Sequence, residues 1–162
     1  MKILILGAGR VGSSLASTLS KQQYEVSIVD LNKNRLQRLQ EDLDLATEVG
    51  HGSYPSTLKK VGADEETILL AVTNSDECNI TSCQIAKSEF NVKKTICRLS
   101  DASYLDSLSA FGENNIDIAI SPENEVTEHL VDLIKHPGAE QIESFANGSI
   151  KVVSVKAKKD GM

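Results

Sequence analysis

A chain of 162 residues, 40% of them hydrophobic, is long enough for one well-buried domain with some sequence left over. Its net charge of −6, its lack of tryptophan and the absence of a basic stripe argue against nucleic acid as a partner. No apolar run approaches the roughly eighteen residues that span a bilayer, and Ile3 to Leu6 is too short for a secretory signal.

Ile3 to Leu6 reads as a short parallel strand buried on both faces. Gly7, Gly9 and Gly12 follow in G-x-G-x-x-G spacing, and Val11, Leu15, Ala16 and Leu19 continue at helical intervals. Gly7 would allow the tight turn out of the strand, Gly9 the approach of a pyrophosphate, and Gly12 close packing of the helix. The start of that helix, with its unpaired N–H groups and positive dipole end, suits an anion. Three glycines alone are also compatible with an ordinary turn; here they stand between a strand and a helix, as a dinucleotide motif requires. Arg10 opposes the helix dipole, so it is either a solvated surface arginine or a donor fork reaching back to a phosphate.

Asp30 ends the second apolar run, Val26 to Asp30, eighteen positions after Gly12. A carboxylate there accepts from adenosine ribose hydroxyls and repels a 2′-phosphate, which favours NAD over NADP. A helix is predicted over 32–42, where Lys33 and Arg35 either meet a nucleotide or are solvated. Leu45 to Val49 reads as a third strand, and Pro55 opens a short helix to about Gly62 with Ser53 as its cap. Thr67 to Val72 is the fourth strand. The polar cluster Thr73-Asn74-Ser75-Asp76-Glu77 follows it, at the strand end where open α/β sheets bind ligands. Ser75 or Asn74 also suits the cap of the next helix, which runs to about Ser88.

Lys94 to Leu99 is the fifth strand. Arg98 near its end requires either a carboxylate or a ligand, since an unpaired buried charge is costly. A helix over Ala102 to Phe111 and a sixth strand, Asp117 to Ile120, complete a doubly wound, six-stranded parallel Rossmann sheet. The next helix, Glu123 to Lys135, carries so wide an apolar face that its own sheet or a second subunit must cover part of it. His136-Pro137-Gly138 interrupts the pattern. Glu143 to Ala146 and Ser149 to Val155 then flank Asn147-Gly148, a strong hairpin signal. The expected layout is a Rossmann NAD-binding domain over 1–135, and a linker with the first hairpin of a small C-terminal subdomain over 136–162. Cys78, Cys83 and Cys97 read as reduced thiols, and the scattered His51, His129 and His136 suggest no metal site.

The run Gly7 to Gly12, the carboxylate Asp30, Thr73-Asn74 with Asp76-Glu77-Cys78-Asn79, and Arg98 together resemble the N-terminal RCK or KTN domain of the TrkA family. Gly52-Ser53, Ile118 to Glu123 and His136 to Ala139 resemble it too, so the likeness extends over essentially the whole chain. Proteins of that family are cytosolic regulatory subunits of bacterial Trk potassium-uptake systems. The resemblance implies a nucleotide sensor that holds NADH or NAD+ with Gly7, Ala8, Gly9, Arg10, Val11, Asp30, Thr73, Asn74 and Arg98, and for which ATP or ADP is the alternative ligand. It also implies a homo-oligomer, dimer or tetramer, paired through the helix over 123–135, lying at the inner face of the membrane against a potassium transporter subunit. The other reading is a dinucleotide-binding fragment of an NAD-dependent dehydrogenase. Hydride transfer calls for a proton donor beside the nicotinamide. No Y-x-x-x-K pair follows Tyr104, and His51 reads as a loop residue, so the non-enzymatic regulator is favoured.

Overall fold

β1 (Lys2–Leu6) shows why the chain folds as it does. Its residues from Ile3 to Leu6 are at most 5% exposed, because alternate side chains feed two separate cores. Leu4 and Leu6 join Leu58, Leu69, Ile80 and Ala86 on one face; Ile3 and Ile5 join Ala16, Val26, Ile28 and Leu36 on the other. The computed structural model describes residues 1–108, 116–145 and 150–156.

Two units make up the chain, Met1–Ser121 and Pro122–Met162. In the first, helices α1 (Arg10–Lys21), α2 (Lys33–Asp42), α3 (Pro55–Lys60), α4 (Asp76–Phe90) and the single turn α5 (Ser103–Asp106) alternate with strands. The strands are β1, β2 (Glu25–Asp30), β3 (Ala46–Val49), β4 (Thr67–Ala71), β5 (Lys94–Arg98) and β6 (Ile118–Ile120). They form one parallel sheet in the order β3-β2-β1-β4-β5-β6, so the chain reverses its direction of winding between β1 and β4. Loops on either side of that point diverge and leave a crevice at the carboxyl ends of the strands. The doubly wound sheet expected from the sequence is the one observed.

Most boundaries fall within a residue or two of expectation. The helix expected over Ala102 to Phe111 is one turn, Ser103–Asp106, up to residue 108, and positions 109–111 lie outside the described residues. The helix after Gly52 is not capped by Ser53. Tyr54 occupies the capping position without a side-chain bond, and the Ser53 hydroxyl is instead 2.8 Å from His51 Nδ1. At β6, burial tends to raise the Asp117 carboxyl, but the Lys87 ammonium at 2.8 Å and the Thr95 N–H at 2.6 Å outweigh it and hold the group below the usual carboxylate range. The Cys97 sulfur and burial push the Cys83 thiol well up, as suits an inert core cysteine.

The second unit holds α6 (Pro122–Lys135) and an antiparallel pair, β7 (Ala139–Phe145) and β8 (Ile150–Val155). Gly138, at φ +120°, makes the break after α6, and Ala139 N–H donates to His136 O. Lys151 Nζ reaches Asp132 on α6 at 2.6 Å. β7 starts four residues before the expected Glu143, since Ala139-Glu140-Gln141 carries no apolar alternation to read. Asn147 and Gly148 lie outside the described residues. Val126, Leu130 and Ile134 on α6 are 58, 53 and 77% exposed.

Candidate functional site

The crevice starts at the turn after β1. Gly7 has φ +102°, and a Cβ there would stand 3.0 Å from the Thr73 backbone, so the position needs both the left-handed conformation and the small size. Gly12 is more constrained still: a Cβ would sit 1.8 Å from the Gly7 carbonyl oxygen. The helix therefore packs on the turn itself as well as on Ile5. Gly9 differs from both. Nothing lies within 4 Å of where its Cβ would be, so the backbone faces open space. It also precedes α1 in extended conformation, and neither a capping side chain nor an acidic residue occupies the first turn. The positive end of a twelve-residue helix is left facing that space.

Asp30 stands across the turn. Its Oδ2 accepts from Ala8 N–H at 2.6 Å and its Oδ1 from Asn32 N–H at 2.7 Å, with Arg35 Nη1 3.9 Å from Oδ2. The carboxylate is thus a brace for the glycine turn, a duty that the ribose role alone did not foresee. Each oxygen keeps a further lone pair for a hydroxyl donor.

Beyond β4, Thr73 is knotted into the start of α4. Its hydroxyl donates to Asn79 Oδ1 at 2.7 Å and accepts from Ser75 N–H at 3.2 Å. Ser75 caps α4 by accepting from Cys78 N–H at 3.1 Å, as expected, while Asn74 is exposed beside it. Arg98 closes β5, half-buried.

Every residue predicted for the site except Ala8 lines one cleft of about 350 Å³. Ala8 is buried behind the turn and meets Asp30 through its N–H. Arg35 and Val72 complete the lining, so Arg10, Arg35 and Arg98 share the cleft with one carboxylate, Asp30, and formal charge there is positive. An adjoining cleft of about 330 Å³ shares Gly7, Asp30, Arg35, Thr73 and Asn74. Its far wall, Gly50-His51-Gly52 with Ser75 and Cys78, was not among the predicted contacts. His51 is a loop residue, as expected. Its ring stacks on Tyr54 at 4.9 Å, and its Nδ1 is 4.0 Å from Cys78 Sγ. Only the flanking glycines, one of which packs on Thr57 and the other on Leu6, could have signalled a tightly held loop. Both volumes fall in the range of small-molecule sites, about 300–1,000 Å³. Open space at Gly9, an uncapped helix start and three arginines fit a phosphate-bearing ligand.

The TrkA-N domain model matches residues 3–122. The chain is 42% identical over 159 residues to the Trk system potassium uptake protein TrkA of Halomonas elongata, covering 97% of this chain and 35% of that protein. Against the protein of the same name from Vibrio alginolyticus it is 42% identical over 160 residues, again with 97% and 35% coverage. The chain thus spans about a third of the length of the curated relatives it matches. Among solved structures, the GsuK channel bound to NAD aligns with a TM-score of 0.69 at 16% identity, over 90% of this chain and 25% of that one. The AMP-bound Kef C-terminal domain of Shewanella denitrificans aligns with a TM-score of 0.63 at 18% identity, over 85% and 82%. GsuK bound to ADP aligns at 0.64 and 16%, over 85% and 35%.

Proposed function

This chain belongs to the TrkA-N domain family, and on that premise we propose that it is the nucleotide-sensing part of a regulatory subunit that gates a membrane potassium-uptake transporter. The observation that carries the sensing half is the cleft in which Gly9 opens onto space between an uncapped helix start and three arginines, with Asp30 opposite. The names of the relatives support the potassium half.

We favour NADH or NAD+ as the ligand, with ATP or ADP as the alternative. The nucleotides named for the GsuK and Kef structures support that class. In this reading the turn from Gly7 to Val11, including Arg10, receives the phosphates, and Asp30 accepts from the adenosine ribose. Thr73, Asn74 and Arg98 serve the remainder. The ligand supplies binding energy here and no chemistry. It shifts an equilibrium between two arrangements of paired subunits by its difference in affinity for them, and by no more. The pairing runs through the helix over 123–135 in a dimer or tetramer, the Rossmann domain is 1–135, and 136–162 opens a C-terminal subdomain. The assembly works at the inner face of the membrane. The non-enzymatic reading is supported by the relatives, which are named as potassium uptake proteins.

Calorimetric titration of the 162-residue chain with NADH, NAD+, NADPH, ATP and ADP, with mass in solution followed alongside, tests this. Saturable binding of NADH ahead of NADPH is expected. Binding of none of the five, or NADH consumption with a small carbonyl substrate, would refute it.

A further inference from the structure

Asn79 is 1% exposed, and its carboxamide is used completely. Oδ1 accepts from Thr73 N–H at 3.0 Å and from the Thr73 hydroxyl at 2.7 Å; Nδ2 donates to the Thr73 carbonyl at 3.2 Å and to the Arg98 carbonyl at 2.9 Å. The ladder between β4 and β5 has its last pair at Ala71 and Cys97. Thr73 and Arg98 lie just past it, where the sheet no longer sets the distance between the two chains. One side-chain amide replaces the missing rungs. Asp76, 9% exposed, extends the same device, since its carboxylate accepts from Ser100 N–H and Asp101 N–H at 2.9 Å and holds the segment after Arg98.

Neither Asn79 nor Asp76 is among the residues that line the two clefts described above. Both are buried on the first turns of α4 behind the two strand ends that do. We infer that Asn79 is a positioning residue of the nucleotide site: by clamping Thr73 and Arg98 together it fixes the direction in which Arg98 enters the cleft. This rests on the nucleotide reading above. The plainer role, support of the fold alone, would make Asn79 matter for stability and leave ligand affinity indifferent to its partners.

A double-mutant cycle separates the two. N79D keeps the shape and both acceptor bonds from Thr73, but sets a carboxylate against the Thr73 and Arg98 carbonyls. NADH affinity is measured by calorimetry for the parent chain, N79D, R98A and the double variant. Acting through Arg98, N79D lowers affinity tenfold or more in the parent and less than threefold once R98A is present. An N79D chain that binds like the parent, or one whose loss is unchanged in the R98A background, overturns the inference alone. A parent chain that does not bind NADH overturns the nucleotide reading and this inference with it. Amide exchange in the ligand-free parent needs no variant to fold: a protected Thr73 N–H supports the clamp, and exchange at the rate of an open loop overturns it.

Discussion

At the scale of single residues, Gly9 and Gly12 occupy one motif for opposite reasons. A methyl group at Gly12 would lie 1.8 Å from a backbone oxygen that cannot move without opening the turn. Gly12→Ala is therefore expected to destabilise the chain by about 2–3 kcal/mol, at the upper end for overpacked sites, read as a lower midpoint in urea. A methyl group at Gly9 meets nothing and asks for no unusual φ, so Gly9→Ala should leave that midpoint within about 0.5 kcal/mol. If the space above Gly9 is where phosphates sit, the same variant still weakens NADH at least tenfold. Unchanged affinity would mean that the glycine is there for the turn alone. Asp30 has two duties and permits a similar separation. Asp30→Ala removes an acceptor for ribose and frees Ala8 N–H, and should weaken NADH by about 1–3 kcal/mol. Loss of the brace also loosens the turn, so inorganic pyrophosphate, which has no ribose, should weaken as well. Removing the carboxylate's repulsion acts the other way, so a pyrophosphate affinity that rises or does not change would reduce Asp30 to ribose recognition.

At the scale of elements, Asp117 shows how an edge strand is held and how pH would release it. The carboxylate joins β6 to Thr95 on β5 and to Lys87 on α4, and these partners keep its folded pKa below the usual value. A depressed acid contributes stability above its unfolded pKa and loses it as pH falls through the folded value. Charged hydrogen bonds of this kind are worth about 1.5–3 kcal/mol, which screening at a side chain 32% exposed trims to about 1 kcal/mol. Asp117→Asn should accordingly melt below the parent at pH 7, and the gap should close below about pH 4. A gap that persists at pH 2 would assign the loss to packing. The same elements show what a reader of the sequence can see. β1 and β4 are legible because burial on both faces leaves an unbroken apolar run, and α1 because the glycines mark its start. β7 is not, since of its first four residues only Ile142 is buried and no period emerges. The cleft wall at Gly50-His51-Gly52 is a matter of backbone approach, and the clamp at Asn79 depends on two strand ends nineteen and six residues away. Gly52 and Asn79 both stand in stretches that carry the family resemblance, but their spacing does not announce what either of them holds. The residues of the glycine turn were legible because their spacing is itself the geometry.

At the scale of the whole molecule, the proposed regulation needs subunits that pair, and the face of α6 is where that idea meets a test. Val126, Leu130 and Ile134 recur at helical spacing and are more than half exposed, so a charge there costs the single chain little, within about 0.5 kcal/mol. In a symmetric pair the same charge faces its own copy across an apolar contact, and burying it is far more costly. Ile134→Glu should therefore leave the melting temperature of the dilute chain almost unchanged and halve the mass seen by sedimentation at higher concentration. Nucleotide binding adds a second reading of the same variant. If the pair holds NADH more or less tightly than the single chain does, NADH must in turn shift pairing by the same factor, since the coupling is reciprocal. The parent chain should then bind NADH with an affinity that changes with protein concentration, and Ile134→Glu with one that does not. Equal masses for the two proteins would remove α6 as the pairing surface. Unequal masses with identical, concentration-independent affinities would leave a dimer whose cleft and interface do not communicate, and gating would have to arise in the part of the relatives that this third of their length does not span.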